Sequence, residues 1–269
     1  MEATFERATT ADTQASRSLE DVLKDVPHSP ILIRNILGIY SSGNTNPSVC
    51  DGVPQSPGIT GDKLQNNCDL NLTDIYPAVK DSVAQAISGK EDEAASFGTA
   101  FLVCDDKCYY VTNDHVSNNH DQVGIVDVDG KTVNYGKVVA RDPQLDLVLI
   151  EPPAGSNVRE PVKVGDAPKV GDSLFTVGHP LASPDDVITT GKVSKLGTTL
   201  DVKDPANGTV QHYKDLISSG VNVYPGNSGG PQFNDKGQVV GIEVVATRGG
   251  SVSIPIQHAM DMIKKAEGK

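Results

Sequence analysis

Gly124-Ile125-Val126-Asp127-Val128-Asp129-Gly130-Lys131-Thr132-Val133-Asn134-Tyr135-Gly136-Lys137-Val138-Val139 sets two β-forming runs, 124–128 and 132–139, on either side of Asp129-Gly130. Asp-Gly favours the backbone of a tight hairpin turn, so the segment reads as two antiparallel strands. The pattern recurs outward in both directions. Upstream, 97–103 and 109–112 are rich in β-branched and aromatic residues and read as paired strands. Downstream, 146–150, 173–177, 187–196, 216–223 and 239–245 follow as short strands between glycine-bearing turns. Repeated strands at this spacing imply an all-β barrel or sandwich.

Helical periodicity is confined to the flanks. Ser18 with Asp21 three positions on resembles a capping box, and Leu19, Val22, Leu23 and Val26 then share one face, which predicts a short helix ending at Pro27. Ile75, Val79, Val83 and Ile87 recur every four residues and predict a helix over 75–88 whose last residues can pass into a strand. Ile256, Met260 and Ile263 predict a terminal amphipathic helix. Residues 1–16 are polar, and 40–71 turn to Ser, Gly, Asn, Pro and Asp, the composition of an irregular loop.

Of 269 residues, 37% are hydrophobic and 22% charged, enough apolar material for a core in one large or two smaller domains. The net charge is 23 − 35 = −12, which opposes approach to nucleic acid or anionic lipid. No run nears the roughly 18 apolar residues of a membrane span; even 31–40 is interrupted by Arg34 and Asn35. A soluble protein without nucleic-acid partners is expected.

Cys50, Cys68, Cys104 and Cys108 allow three pairings. Cys104 and Cys108 flank a three-residue turn and would face each other across a hairpin, which leaves Cys50 to staple the loop to Cys68. Neither spacing is the close pair that zinc favours, and His120 and His179 stand in loops without further ligands, so no metal or other cofactor is expected. Two disulfides are preferred over free buried thiols and imply an oxidising compartment, secreted or periplasmic, although residues 1–16 lack the apolar core of a signal peptide.

The chemistry concentrates in Tyr224-Pro225-Gly226-Asn227-Ser228-Gly229-Gly230-Pro231. Glycines around one serine after an apolar strand bend the chain sharply and expose both the hydroxyl and the backbone N–H groups. Gly226 and Ser228 can aim their N–H groups at one spot, an oxyanion hole, but a serine is a weak nucleophile without a base. His115 directly follows an apolar run, and Asp146 interrupts another, Leu145 to Ile150, where an unpartnered carboxylate would be costly. Each is the partner the other needs: Asp146 would fix the tautomer that leaves His115 Nε2 free for Ser228. Gly-x-Ser-x-Gly also occurs in α/β-hydrolases, but those place the acid and then the histidine after the serine, and the segment around His258 does not fit.

Taken in order, FGTAFLV and TNDHV, LDLVLIEPP, ITTGKVSKLG, PGNSGGP, GQVVGIEVV and SVSIPI resemble the trypsin-like serine peptidases of the chymotrypsin fold, in particular the Deg/HtrA-like branch. The resemblance covers about 76–269 as a protease domain of two perpendicular six-stranded β-barrels, and leaves 1–75 as an extension without counterpart. It implies Ser228 as nucleophile, His115 as general acid/base, Asp146 as its orienting carboxylate, and Gly226 and Ser228 as oxyanion donors. It also implies that Val244, Val245 and Ala246 wall the primary pocket and that Asn222 lies near its base, so a small or medium apolar residue is expected before the cleaved bond. Members of this branch commonly carry a PDZ domain after the protease, and none is expected within 1–269. Asn227 stands where digestive relatives hold an aspartate that pairs with a newly cut N-terminus, so activation by that ion pair is not expected. The implied activity is a serine endopeptidase acting on protein or peptide; a silent or latent scaffold that binds a protein partner is the rival reading. The oligomeric state is not readable from the residues.

Overall fold

The computed structural model describes residues 17–18, 59–60, 70–89, 96–154, 156–157, 159–180, 186–203 and 208–269. In chain order the strands are β1 (Arg17–Ser18), β2 (Ile59–Thr60), β3 (Val83–Ser88), β4 (Ser96–Cys104), β5 (Cys108–Thr112), β6 (Gln122–Val126), β7 (Thr132–Asp142) and β8 (Leu147–Ile150). There follow β9 (Lys163–Val164), β10 (Ser173–Gly178), β11 (Val187–Lys203), β12 (Val210–Ser219), β13 (Pro231–Phe233), β14 (Gln238–Thr247) and β15 (Gly250–Pro255). The helices are α1 (Leu72–Val79), α2 (Asp114–Ser117) and α3 (Ile256–Ala266).

These strands close into two antiparallel barrels. In the first, the order β7-β6-β3-β4-β5-β8 returns on itself through a β7–β8 pairing; in the second, β10-β13-β14-β15-β12-β11 closes through β10–β11. Each barrel therefore has six strands, as expected. Short strands decorate them: β1 on β7, β2 on β11, and β9 parallel to β14.

Closure explains why the site-bearing strands read as continuous apolar runs rather than alternating ones. On β4, Ala100 and Leu102 join a cluster with Ala84, Ala86, Tyr110, Val148 and Ile150, all from the first barrel. The intervening Phe101 and Val103 join a larger cluster with Leu147 and Leu149 that also takes in Phe175, Phe233, Val239 and Ile242 of the second barrel. Both faces are buried, so period 2 loses its polar half. Phe175 and Phe233 stack with centroids 5.0 Å apart, and each large side chain so buried contributes roughly 1.5–3 kcal/mol.

Several sequence expectations are corrected. The helix expected over 75–88 ends at Val79, and after a 3-10 turn at Lys80–Ser82 the chain becomes β3, every residue of which is buried between β4 and β6. Apolar spacing of four suits a strand as well as a helix when both strand faces are covered. Strand bounds also move: β11 runs on to Lys203, β12 occupies Val210–Ser219 rather than 216–223, and β8 begins at Leu147. On α3 the buried residues are Ile256, Ala259, Met262 and Ile263, while Met260 is half-buried. Ser18 lies in strand β1, and the helix expected after it falls outside the described residues, as do Cys50 and Cys68. Cys104 and Cys108 are directly opposed in the β4–β5 hairpin and form the expected disulfide.

Candidate active site

His115 and Asp146 meet although 31 residues separate them. β5 delivers the chain to the short helix α2, which carries His115, while Asp146 is the residue at which a turn becomes β8. Its backbone is left-handed, with φ 57°, a conformation that a non-glycine residue keeps only where its surroundings over-determine it. They do so here. Asp114 N–H (3.1 Å) and Asn113 Nδ2 (3.0 Å) both donate to the Asp146 carbonyl, and His115 N–H donates to Oδ1 at 2.9 Å. The other carboxylate oxygen, Oδ2, lies 2.7 Å from His115 Nδ1 and accepts the Tyr213 hydroxyl at 2.8 Å.

The Asp146 side chain is 6% exposed and the His115 ring 48%; the imidazole is pinned at Nδ1 and half in solvent. Partial desolvation pulls the His115 pKa down, but the Asp146 hydrogen bond and charge, with the charge of Asp114, outweigh it and hold the ring above its ordinary value of 6.5. The rival carboxylates are otherwise engaged. Asp114 pairs with Arg141, whose guanidinium also donates to Ser117 Oγ (2.7 Å) and the His120 carbonyl (2.8 Å). Asp142 Oδ1 accepts the N–H groups of Gln144 and Leu145, both at 3.0 Å, and shapes the turn that leads to Asp146.

Ser228 sits in the connection between β12 and β13. Asn227 N–H to Tyr224 O and Gly230 N–H to Asn227 O, each 2.9 Å, fold two tight turns around it. Gly226 has φ 103° and Gly229 φ 81°, and a Cβ on Gly229 would lie 2.1 Å from Thr112 Oγ1, so no side chain fits there. Among the described residues, neither the Gly226 nor the Ser228 N–H donates a hydrogen bond.

What anchors this turn is a strand of the other barrel. Thr99 on β4 donates its N–H to Ser228 O (2.9 Å) and its hydroxyl to Gly226 O (2.7 Å). Thr99 is fully buried, and its own carbonyl accepts the Thr112 hydroxyl at 2.8 Å. Next to it, a Cβ on Gly98 would fall 2.6 Å from a Val116 methyl and 2.9 Å from Ser228 O. Residues 98–99 are thus wedged between the α2 segment that carries His115 and the turn that carries Ser228.

The remaining expected residues flank the turn. Glu243 pairs its backbone with the residues just after Ser228, through Gly229 N–H to Glu243 O (2.8 Å) and Glu243 N–H to Gly230 O (2.9 Å). The strand then continues as buried Val244, half-buried Val245 and exposed Ala246. Asn222 is half-buried, and its carbonyl accepts the Thr189 hydroxyl at 2.6 Å. Among the described residues no group of three or more His, Cys, Asp or Glu gathers as for a metal. His179 lies 3.3 Å from Asp186, which also accepts the Tyr76 hydroxyl at 2.6 Å.

Three residues around the site escaped the sequence reading: Thr99, Tyr213 and Glu243. Glu243 offered a signal, a carboxylate in the apolar run Val239 to Val245, of the same kind that singled out Asp146. It is fully buried; Gln232 Nε2 donates to its Oε1 at 2.9 Å and to Ser219 Oγ at 3.1 Å, while Ser253 donates to Gln232 Oε1 at 2.7 Å. Burial pushes its carboxyl up to about 8, against the hydrogen bonds from Ser251 and Gln232.

The chain is similar to known proteins. A trypsin-like peptidase domain model matches residues 98–242. A probable periplasmic serine endoprotease, DegP-like, of Pseudomonas putida is 37% identical over 190 residues, which are 67% of this chain and 37% of that protein. The serine protease Do-like HtrB of Bacillus subtilis is 34% identical over 148 residues, 54% of this chain and 31% of its own. The chain thus spans about a third of the length of these relatives. Among solved structures, Deg5 superposes with a TM-score of 0.56 at 26% identity, covering 70% of this chain and 90% of that one. The HtrA-type protease AlgW with tripeptide has a TM-score of 0.59 at 23% identity, over 74% and 64% of the two chains, and shares the fold. With the matched region running from Gly98 beside the Ser228 turn, through His115, Asp146 and Ser228, to Ile242 on β14, the chain belongs to the trypsin-like peptidase family.

Proposed function

We propose that the chain is a serine endopeptidase that cleaves proteins through an acyl-enzyme. The observation that carries this reading is the buried, left-handed Asp146 whose carboxylate holds His115 Nδ1 at 2.7 Å. A fixed Nδ1 tautomer presents Nε2 as the base; Ser228 Oγ gives it a proton and attacks the peptide carbonyl. The oxygen that becomes negative is held by the N–H groups of Gly226 and Ser228, and His115 returns the proton to the leaving amine. Water then releases the acyl group by the same route in reverse. Val244, Val245 and Ala246 with Asn222 form the primary pocket, and a small or medium apolar residue precedes the cut. The Cys104–Cys108 disulfide and the periplasmic relatives support a location outside the cytoplasm.

Ser228→Ala tests the reading: casein turnover and fluorophosphonate labelling both disappear while the protein stays folded. Labelling that persists in the variant would reject Ser228. A second check is pH. His115 must be neutral to accept the proton, so kcat/KM rises with pH through a midpoint above histidine's ordinary 6.5; a profile flat from roughly pH 5 to 8 speaks against a histidine base.

A further inference from the structure

The carboxylate that orients His115 is itself held from the opposite barrel. Asp146 Oδ2 accepts two hydrogen bonds, one from His115 and one, at 2.8 Å, from the hydroxyl of Tyr213 on β12. Tyr213 is 6% exposed and lies in the apolar cluster shared by the two barrels, with Leu145, Leu200 and Val202 among its partly buried members. Two residues earlier on the strand, Gln211 Nε2 donates to the carbonyls of Pro143 and Gln144, both at 3.0 Å. The outer half of the β11–β12 hairpin, where Leu200 faces Tyr213, therefore sits across the turn that ends in Asp146.

We infer that Tyr213 is a positioning residue for the base: its hydroxyl fixes Asp146 Oδ2 and lowers the proton affinity of His115. This rests on the peptidase reading above. The phenol hydrogen bond is strongest when Asp146 bears an uncompensated charge, which is the state in which His115 is neutral. Once His115 is protonated, the carboxylate is already paired and the phenol adds less. Tyr213 thus favours the neutral imidazole that can accept a proton, against the opposing pull of Asp146 and Asp114. The Arg141 guanidinium is bound to Asp114, and the exposed side of the ring faces solvent. Burial and the Asp146 charge also push the Tyr213 phenol up, so it remains a donor throughout the working range.

Tyr213→Phe removes the hydroxyl and keeps the ring. The NMR titration of His115, followed in a Ser228→Ala background so that it needs no turnover, moves its midpoint upward by about half a pH unit in Tyr213→Phe. In the Ser228-intact protein, kcat falls roughly tenfold with KM nearly unchanged, the size expected for losing a hydrogen bond to a charged group, and the acid limb of kcat/KM moves up in parallel. Gln211→Ala, which loosens the hairpin without touching the carboxylate, leaves the His115 midpoint in place. An unmoved midpoint in Tyr213→Phe, or an equal movement in Gln211→Ala, overturns the assignment. If Ser228→Ala proves to retain hydrolysis, the peptidase reading fails, while the His115 titration still decides whether Tyr213 acts on the base.

Discussion

The two barrels contribute to the site by opposite means. The first presents His115 and Asp146 as side chains fixed by hydrogen bonds: Asp146 alone receives five, two on its carbonyl and three on its carboxylate. The second presents Ser228 on a turn shaped by backbone, with Gly226 and Gly229 at positive φ, and seats it above a buried polar group, Glu243 with Gln232 and Ser219. In the proposed peptidase, the acid/base needs a defined tautomer and charge, which explicit partners supply. The nucleophile and two converging amides of that proposal need a backbone path, which glycine supplies. Damage to the hydrogen bonds on Asp146, including the one that Tyr213 supplies from the second barrel, is therefore expected to appear in the pH profile, and damage to the Ser228 turn in stability and in the spacing of the reacting groups.

The sharpest way to break that division is at the seam. Gly98→Ala drives a methyl into Val116 on one side and Ser228 O on the other. Since a misplacement of about 1 Å can cost roughly 100-fold, kcat/KM falls by about that factor, with a loss of about 1–3 kcal/mol in urea unfolding. Normal activity with an unchanged unfolding midpoint would mean that the two segments are not set by residue 98.

Glu243→Gln probes the second barrel alone. The folded carboxyl keeps its proton up to about pH 8, whereas the unfolded one loses it near 4.5. The folded state therefore binds the extra proton across that window, and stability falls as pH rises through it. Glutamine escapes the penalty, so the variant gains on the order of 4 kcal/mol over the parent at pH 8 and little at pH 4.5. Thermal unfolding at the two pH values measures the difference; a gain equal at both would show that ionisation is not its source.

The smallest effect belongs to the disulfide. Cys104 and Cys108 close a loop of sequence separation 4, so joint replacement by Ala costs at most about 2 kcal/mol. The hairpin lies near the C-terminus of α3, through Lys107 N–H to Glu267 Oε1 at 2.8 Å, and at the opposite end of β5 from His115. Thermal unfolding should shift by a few degrees with kcat and its pH profile intact, and a changed profile would extend the reach of the first barrel's hydrogen bonds to this tip.

The parts of this arrangement readable from residues alone are those where a polar group breaks an apolar run or glycines crowd a serine: Asp146, His115 after its strand, and the 224–230 turn. The same logic applied to Glu243 would have exposed the second barrel's buried carboxyl. Tyr213 left no such trace. It sits in the polar stretch Val210 to Asp215, and β11 and β12 pair with register shifts between Val193 and Lys195, Lys195 and Thr198, and Thr198 and Leu200. Each shift resets which face a residue occupies, so parity counted along the strand does not reveal that residue 213 points inward. The helix–strand boundary left open within 75–88 has the complementary cause, since a strand covered on both sides hides its period.

Thr99 gives the molecule a common datum. The turn bearing the hydroxyl is bolted to β4, and the same strand backs the segment bearing the imidazole. The serine turn is therefore tied to both barrels at once, to β4 through Thr99 and to β14 through the backbone of Glu243, so a shift of either sheet bears on the hydroxyl.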